Sequence, residues 1–135
     1  MSYISERLIN WHKNYGRHNL PWQKTRDPYA VWVSEIMLQQ TQVTTAIKYY
    51  QKFMNYFPTV SDLAKANEEE VMKLWAGLGY YARARNLYKS AIIISDKYKG
   101  EFPNSIENLI TLPGIGRSTA GAICAFSFGQ SKPIL

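Results

Sequence analysis

The chain has 135 residues, 46% of them hydrophobic and 14% aromatic, which is ample apolar material for a folded domain and excludes an intrinsically disordered chain. Its formal net charge of +6 favours a polyanionic partner, either nucleic acid or an anionic membrane surface. The single cysteine, Cys124, excludes an internal disulfide, no apolar run reaches membrane-spanning length, and residues 1–7 lack the apolar core of a secretion signal. A cytoplasmic protein without membrane contact is expected.

In chain order, nearly every segment reads helical. Ile4, Leu8, Ile9 and Trp11 form a short amphipathic stripe that Gly16 can end in a left-handed cap. Residues 17–27 form a loop anchored by Leu20-Pro21-Trp22. His12 and His18 flank this turn without a metal-ligand pattern. Asp27 and Pro28 suit the N-cap and first turn of a second helix running through Val31, Trp32, Ile36 and Met37. Residues 43–57 continue as a third, stopped by Pro58. Asn67 and Glu70 form a capping box ahead of Val71, Leu74 and Trp75, and Gly77 and Gly79 break that helix. Residues 80–98 read as a long helix closed by Gly100, residues 105–111 as a short one, and residues 118–128 as the last, closed by Gly129. Period-2 alternation is missing, so the expected class is all-α. Cys124 sits in the apolar run 122–126 and reads as a buried thiol.

The string Leu112-Pro113-Gly114-Ile115-Gly116-Arg117-Ser118-Thr119-Ala120 carries the most specific chemistry. Pro113 fixes a turn, while Gly114 and Gly116 permit positive φ and remove Cβ atoms from the path of an approaching phosphate. A helix begins behind Gly116, so its N–H groups and positive dipole end face that phosphate. Arg117 adds charge, and Ser118 and Thr119 add hydroxyl donors. Small residues Ala120, Gly121 and Ala122 would let this helix pack tightly on the short helix at 105–111. Such a contact grips the DNA backbone and carries no base information.

Several further strings occur in order with this hairpin: Trp11, Gly16-Arg17, Leu20-Pro21-Trp22, Ser34 through Val43 (SEIMLQQTQV), and Leu78 through Leu87 (LGYYARARNL). Together they make the chain similar to the MutY-type adenine DNA glycosylases of the helix-hairpin-helix and endonuclease III superfamily. The resemblance spans essentially the whole chain. It implies a helix-hairpin-helix glycosylase fold with an N-terminal helix at 1–20 and a six-helix barrel domain at 21–135, the hairpin unit lying at 105–128. It also implies base excision repair of adenine opposite 8-oxoguanine or guanine in double-stranded DNA, by a monomer near the nucleoid.

Site roles follow from the same resemblance. Glu35 alone would read as a solvated helix residue; in the motif it is the acid expected to protonate an adenine ring nitrogen, which near neutral pH requires a buried carboxyl. Gln39, Gln40 and Thr41 are expected in the lesion-facing minor groove. Tyr80 matches the wedge that intercalates beside the lesion, with Leu78 next to it, whereas Tyr81 is expected in the core. Arg83 and Arg85 are candidate phosphate contacts, as are the hairpin residues Pro113, Gly114, Ile115, Gly116, Arg117, Ser118 and Thr119. Ser118 stands where endonuclease III carries a Schiff-base lysine, so hydrolysis without efficient strand cleavage is expected.

The family's sugar-stabilising aspartate would be the residue after Leu135, and its [4Fe-4S] ligands and 8-oxoguanine-checking domain lie further on. Residues 1–135 alone are therefore expected to bind no cluster or metal and to be inactive or nearly so. Two other readings are a thymine or pyrimidine mismatch glycosylase on the same scaffold, and a non-catalytic helix-hairpin-helix DNA-binding module.

Overall fold

A computed structural model describes residues 27–39 and 41–129. The expected N-terminal helix with its Gly16 cap, the Leu20-Pro21-Trp22 anchor, Gln40 and residues 130–135 lie outside the described residues. Seven helices and no strand occur among those described: α1 (Pro28–Leu38), α2 (Val43–Tyr56), α3 (Val60–Lys65), α4 (Glu68–Trp75), α5 (Tyr81–Lys97), α6 (Ile106–Leu109) and α7 (Arg117–Ser127). None of them is long and apolar enough to cross a membrane.

The caps set the helix starts. Asp27 accepts from the Tyr29 backbone N–H at 3.1 Å, and Pro28 occupies the first turn, where its missing N–H costs nothing. Asn67 and Glu70 form the reciprocal box that opens α4. A second box, Thr59 with Asp62, opens α3, a six-residue helix that hydrophobic periodicity does not reveal. The short helix at 105–111 contracts to the four residues of α6, capped by Ser105.

α1 is the organising element. Every residue from Tyr29 to Leu38 is buried, so the helix has no solvated stripe and runs through the core. α7 lies against it and also packs on the four-residue α6, the pairing expected within the hairpin unit. Ala120, Gly121 and Ala122 are all buried in this packing. On the far side, α3 packs extensively on α5. Edge-on aromatic contacts tie the layers: Trp32 meets Phe102 with ring centroids 5.5 Å apart, and Phe53 meets Trp75 at 5.9 Å. Cys124 is buried as expected, and burial pushes its thiol up, aided by Glu107.

Tyr29 and Tyr50 enter the same core. The Tyr29 hydroxyl donates to the Phe57 carbonyl at 2.7 Å. Burial, with the Asp27 charge nearby, pushes Tyr50 up from 10.0 to about 12, and Tyr29 is pushed higher still. The folded state therefore holds these protons more tightly than the unfolded chain. Their stabilisation is complete below pH 10 and is lost as pH rises from 10 towards 12. Denaturation midpoints followed across that window should fall steeply, and Tyr50→Phe should flatten the fall.

Candidate nucleic-acid interface

Glu35 sits in the middle of α1 at 0% exposure, which overturns its reading as a solvated helix residue. Trp32, Leu38 and Gln39 occupy the i−3, i+3 and i+4 positions around it on the helix surface. Its neighbour Ser34, also buried, donates its hydroxyl to the Val31 carbonyl at 2.8 Å and is satisfied within the helix. A fully buried carboxyl is expensive as an anion unless it is partnered, and in folded proteins such placement recurs at reactive sites.

At the end of α1 the chain turns through Gln39 and Thr41. The Gln39 amide Nε2 donates to the Thr119 hydroxyl at 3.5 Å, and the Thr41 hydroxyl donates to the Gln39 carbonyl at 3.4 Å. The acid helix is thereby tied to the first turn of α7. The same bond corrects the role expected of Thr119: its side chain is 3% exposed and faces Gln39, so it is not presented to a phosphate.

The turn between α4 and α5 projects two rings into solvent. Gly77 and Gly79 adopt φ of +90° and +84°, and Tyr80 itself is left-handed at φ 56°, ψ 54°. The Trp75 indole donates to the Gly79 carbonyl at 3.0 Å and the Tyr49 hydroxyl to the Ala76 carbonyl at 2.9 Å, so core groups hold this backbone in place. A left-handed tyrosine is strained, and such strain concentrates at functional sites. Tyr80 is 54% exposed, and the Arg83 guanidinium lies over its ring, 4.5 Å from the centroid. Tyr81, expected in the core, opens α5 and is 45% exposed, because the turn ahead of it leaves both rings outward. Leu78 is half-buried against the core, and Arg85 is exposed on α5.

The hairpin is seated from below by apolar anchors. Leu112 and Ile115 are buried, so Ile115 can meet a ligand only through its backbone. Gly114, Gly116 and Arg117 are exposed and Pro113 and Ser118 half-buried. The two glycines differ. Gly114 has φ +76°, and a Cβ there would meet the Asn86 Cβ at 2.8 Å. Gly116 has an ordinary φ of −87° with open space beside it, contrary to the expected positive φ; as N-cap of α7 it supplies no side-chain acceptor to the first turn. Ser90, wholly buried on α5, donates to the Pro113 carbonyl at 2.6 Å and locks the hairpin onto that helix. Nothing in its sequence surroundings marked Ser90 for this role, whereas Asn86 lies within the Leu78–Leu87 string.

α1, α5 and the hairpin converge on one cavity of about 220 Å³, lined by Trp32, Ile36, Gln39, Arg83, Asn86, Leu87, Pro113 and Gly114. It joins the Glu35 helix, the Tyr80–Arg83 turn and the hairpin, which are far apart in sequence. Residues 33–132 match the sequence profile of the HhH-GPD superfamily of base excision DNA repair proteins. The chain belongs to this superfamily. Among HhH-GPD relatives, it is 52% identical over 130 residues to the adenine DNA glycosylase of Buchnera aphidicola subsp. Baizongia pistaciae, covering 96% of this chain and 37% of that protein. It is 47% identical to human adenine DNA glycosylase over 137 residues, 95% of this chain and 25% of the human protein. The chain thus spans well under half the length of these relatives.

Solved structures agree on the HhH-GPD fold. A thermostable thymine-DNA glycosylase superposes with a TM-score of 0.79 at 30% identity, covering 98% of this chain and 60% of that one. Endonuclease III in a non-covalent DNA complex gives 0.71 at 23% identity, covering 96% and 62%, and supports the fold alone. The two hairpin glycines make a paired prediction for thermal unfolding. Gly114→Ala should cost about 1–3 kcal/mol through strain and the Asn86 clash, while Gly116→Ala should stay within about 0.5 kcal/mol.

Proposed function

We propose that this chain supplies the DNA grip, the wedge and the acid of an adenine DNA glycosylase acting on adenine opposite 8-oxoguanine or guanine. The observation that carries the reading is Glu35, wholly buried on a helix that ends against the first turn of the hairpin helix. The hairpin backbone at Gly114 and Gly116, with Arg117, holds a phosphate. Tyr80 enters the base stack and helps extrude the target base, with Leu78 beside it and Gln39, Gln40 and Thr41 on the lesion side. Arg85 adds charge along the backbone.

In the reaction, Glu35 delivers its proton to a ring nitrogen of adenine. The bond between the sugar C1′ and N9 then breaks, its electron pair leaves with the neutral base, and water adds to C1′ with loss of a proton. Ser118 offers no amine for a Schiff base, which favours hydrolysis without strand cleavage. Adenine glycosylases of this type carry a [4Fe-4S] cluster, which requires four ligands, generally thiolates. These residues do not fit it: the chain has one cysteine, which is buried, and no group of three or more candidate ligands occurs among the described residues. No step of the reaction is assigned to it.

The likeness to a thymine-DNA glycosylase keeps a second substrate in view. Single-turnover assays on the full-length protein carrying these residues should show adenine released opposite 8-oxoguanine faster than thymine opposite guanine; the reverse order would assign the pyrimidine reaction. Glu35→Gln should slow base release at least about 100-fold while DNA affinity holds. An unchanged rate would leave a DNA-binding module rather than an enzyme.

A further inference from the structure

Tyr80 carries an exposed ring on a strained turn, and a wedge is useful only if that ring is already aimed. The local backbone does little to aim it. Tyr80 is the N-cap of α5, its side chain makes no capping hydrogen bond, and the space beside Gly79 is open. An exposed side chain left to itself exchanges rotamers within nanoseconds. Arg83 supplies the restraint. Its backbone N–H donates to the Tyr80 carbonyl at 2.9 Å, and its guanidinium lies over the Tyr80 ring, 4.5 Å from the centroid. One arginine therefore holds both the backbone and the ring of the same tyrosine.

Helix energetics do not explain an arginine at this position. It stands in the first turn of α5, which contains no acidic residue, and a cation is disfavoured at the positive end of a helix. The guanidinium is also partly withdrawn from water, since its Nη1 is buried and has no hydrogen-bond partner. Withdrawal of this kind strengthens attraction to an aromatic face. A phosphate contact has the opposite need, because its fork of donors must be open to the incoming anion.

We propose that Arg83 is a positioning residue for Tyr80: it stacks on the ring before DNA arrives and fixes the direction in which the ring is presented. It does so in place of the phosphate contact expected of it. The proposal rests on the reading of Tyr80 as a wedge. A ring already held in its working pose loses less freedom on entering the stack. Arg83 thus acts on the opening of the duplex and leaves the backbone grip of the hairpin unchanged.

The test is a double-mutant cycle in the full-length protein, with Arg83→Met, Tyr80→Leu and the pair. One readout is the fluorescence of a duplex carrying 2-aminopurine opposite guanine, which brightens as that base unstacks. The other is the salt dependence of binding to a fully paired duplex. Arg83→Met should reduce the fluorescence rise at least about threefold, and the pair should lose no more than Tyr80→Leu alone. The salt dependence should not change. Arg83→Lys, which keeps a cation for the ring, should recover part of the loss. In the free protein, the three-bond couplings of the Tyr80 β protons should move from single-rotamer values towards averaged ones in Arg83→Met.

Losses that add in the pair, or a salt slope smaller by about one, overturn the proposal and make Arg83 a phosphate contact. A full fluorescence rise in Arg83→Met overturns it as well. If Tyr80→Leu itself leaves the rise intact, the wedge reading falls and the proposal with it, an outcome distinct from an uncoupled Arg83. The Trp75 indole, bonded to the Gly79 carbonyl at 3.0 Å, reports in every variant whether the turn remains folded.

Discussion

Everything in this molecule depends on a helix that has no surface. α1 is buried along its length, and other helices must wrap it: α7 on one side, α2 on another, with Trp32 reaching Phe102. The hydrophobic effect accounts for most of its residues, each of the large ones contributing about 1.5–3 kcal/mol on burial. It does not account for the burial of Glu35, a polar group that needs partners or the neutral form to be accommodated. A buried carboxyl persists only where the surrounding packing is strong enough to carry it. The apolar character of α1 builds the core, and under the proposed function it also sets the medium around the Glu35 carboxyl.

Sequence reading recovered those features that rest on local chemistry. The Asp27–Pro28 start, the Asn67–Glu70 box and the left-handed glycine of the hairpin all depend on neighbours within a few residues. It failed where tertiary context decides. α3 spans six residues, too few for an apolar period, and only its Thr59–Asp62 box could have revealed it. The small residues of α7 announced close packing on the short helix before it but not the larger contact with α1, where Gln39 meets Thr119 some 80 positions away. Tyr81 and Thr119 were exchanged in sense, one turned out and the other in, because orientation follows from the turn geometry around each.

The candidate site was legible only in pieces. Glu35, Tyr80 and the hairpin were found as motifs, each with an individual role. The burial of Glu35 came from packing, which no single stretch encodes. Ser90 and Asn86, which seat the hairpin, have no chemical signature of their own, since a buried serine and a half-buried asparagine are common in any helix. Their significance lies in what stands opposite them.

α5 adds one more consequence. Tyr80 caps its start, and Ser90, ten residues on, holds the hairpin, so the two are joined by nearly continuous helix. At about 1.5 Å of rise per residue this is a rod of roughly 15 Å. Bases in one strand are spaced about 3.4 Å apart. Under the proposed function the rod is a ruler of some four to five nucleotides: a phosphate held at the hairpin would already determine where the tyrosine meets the stack.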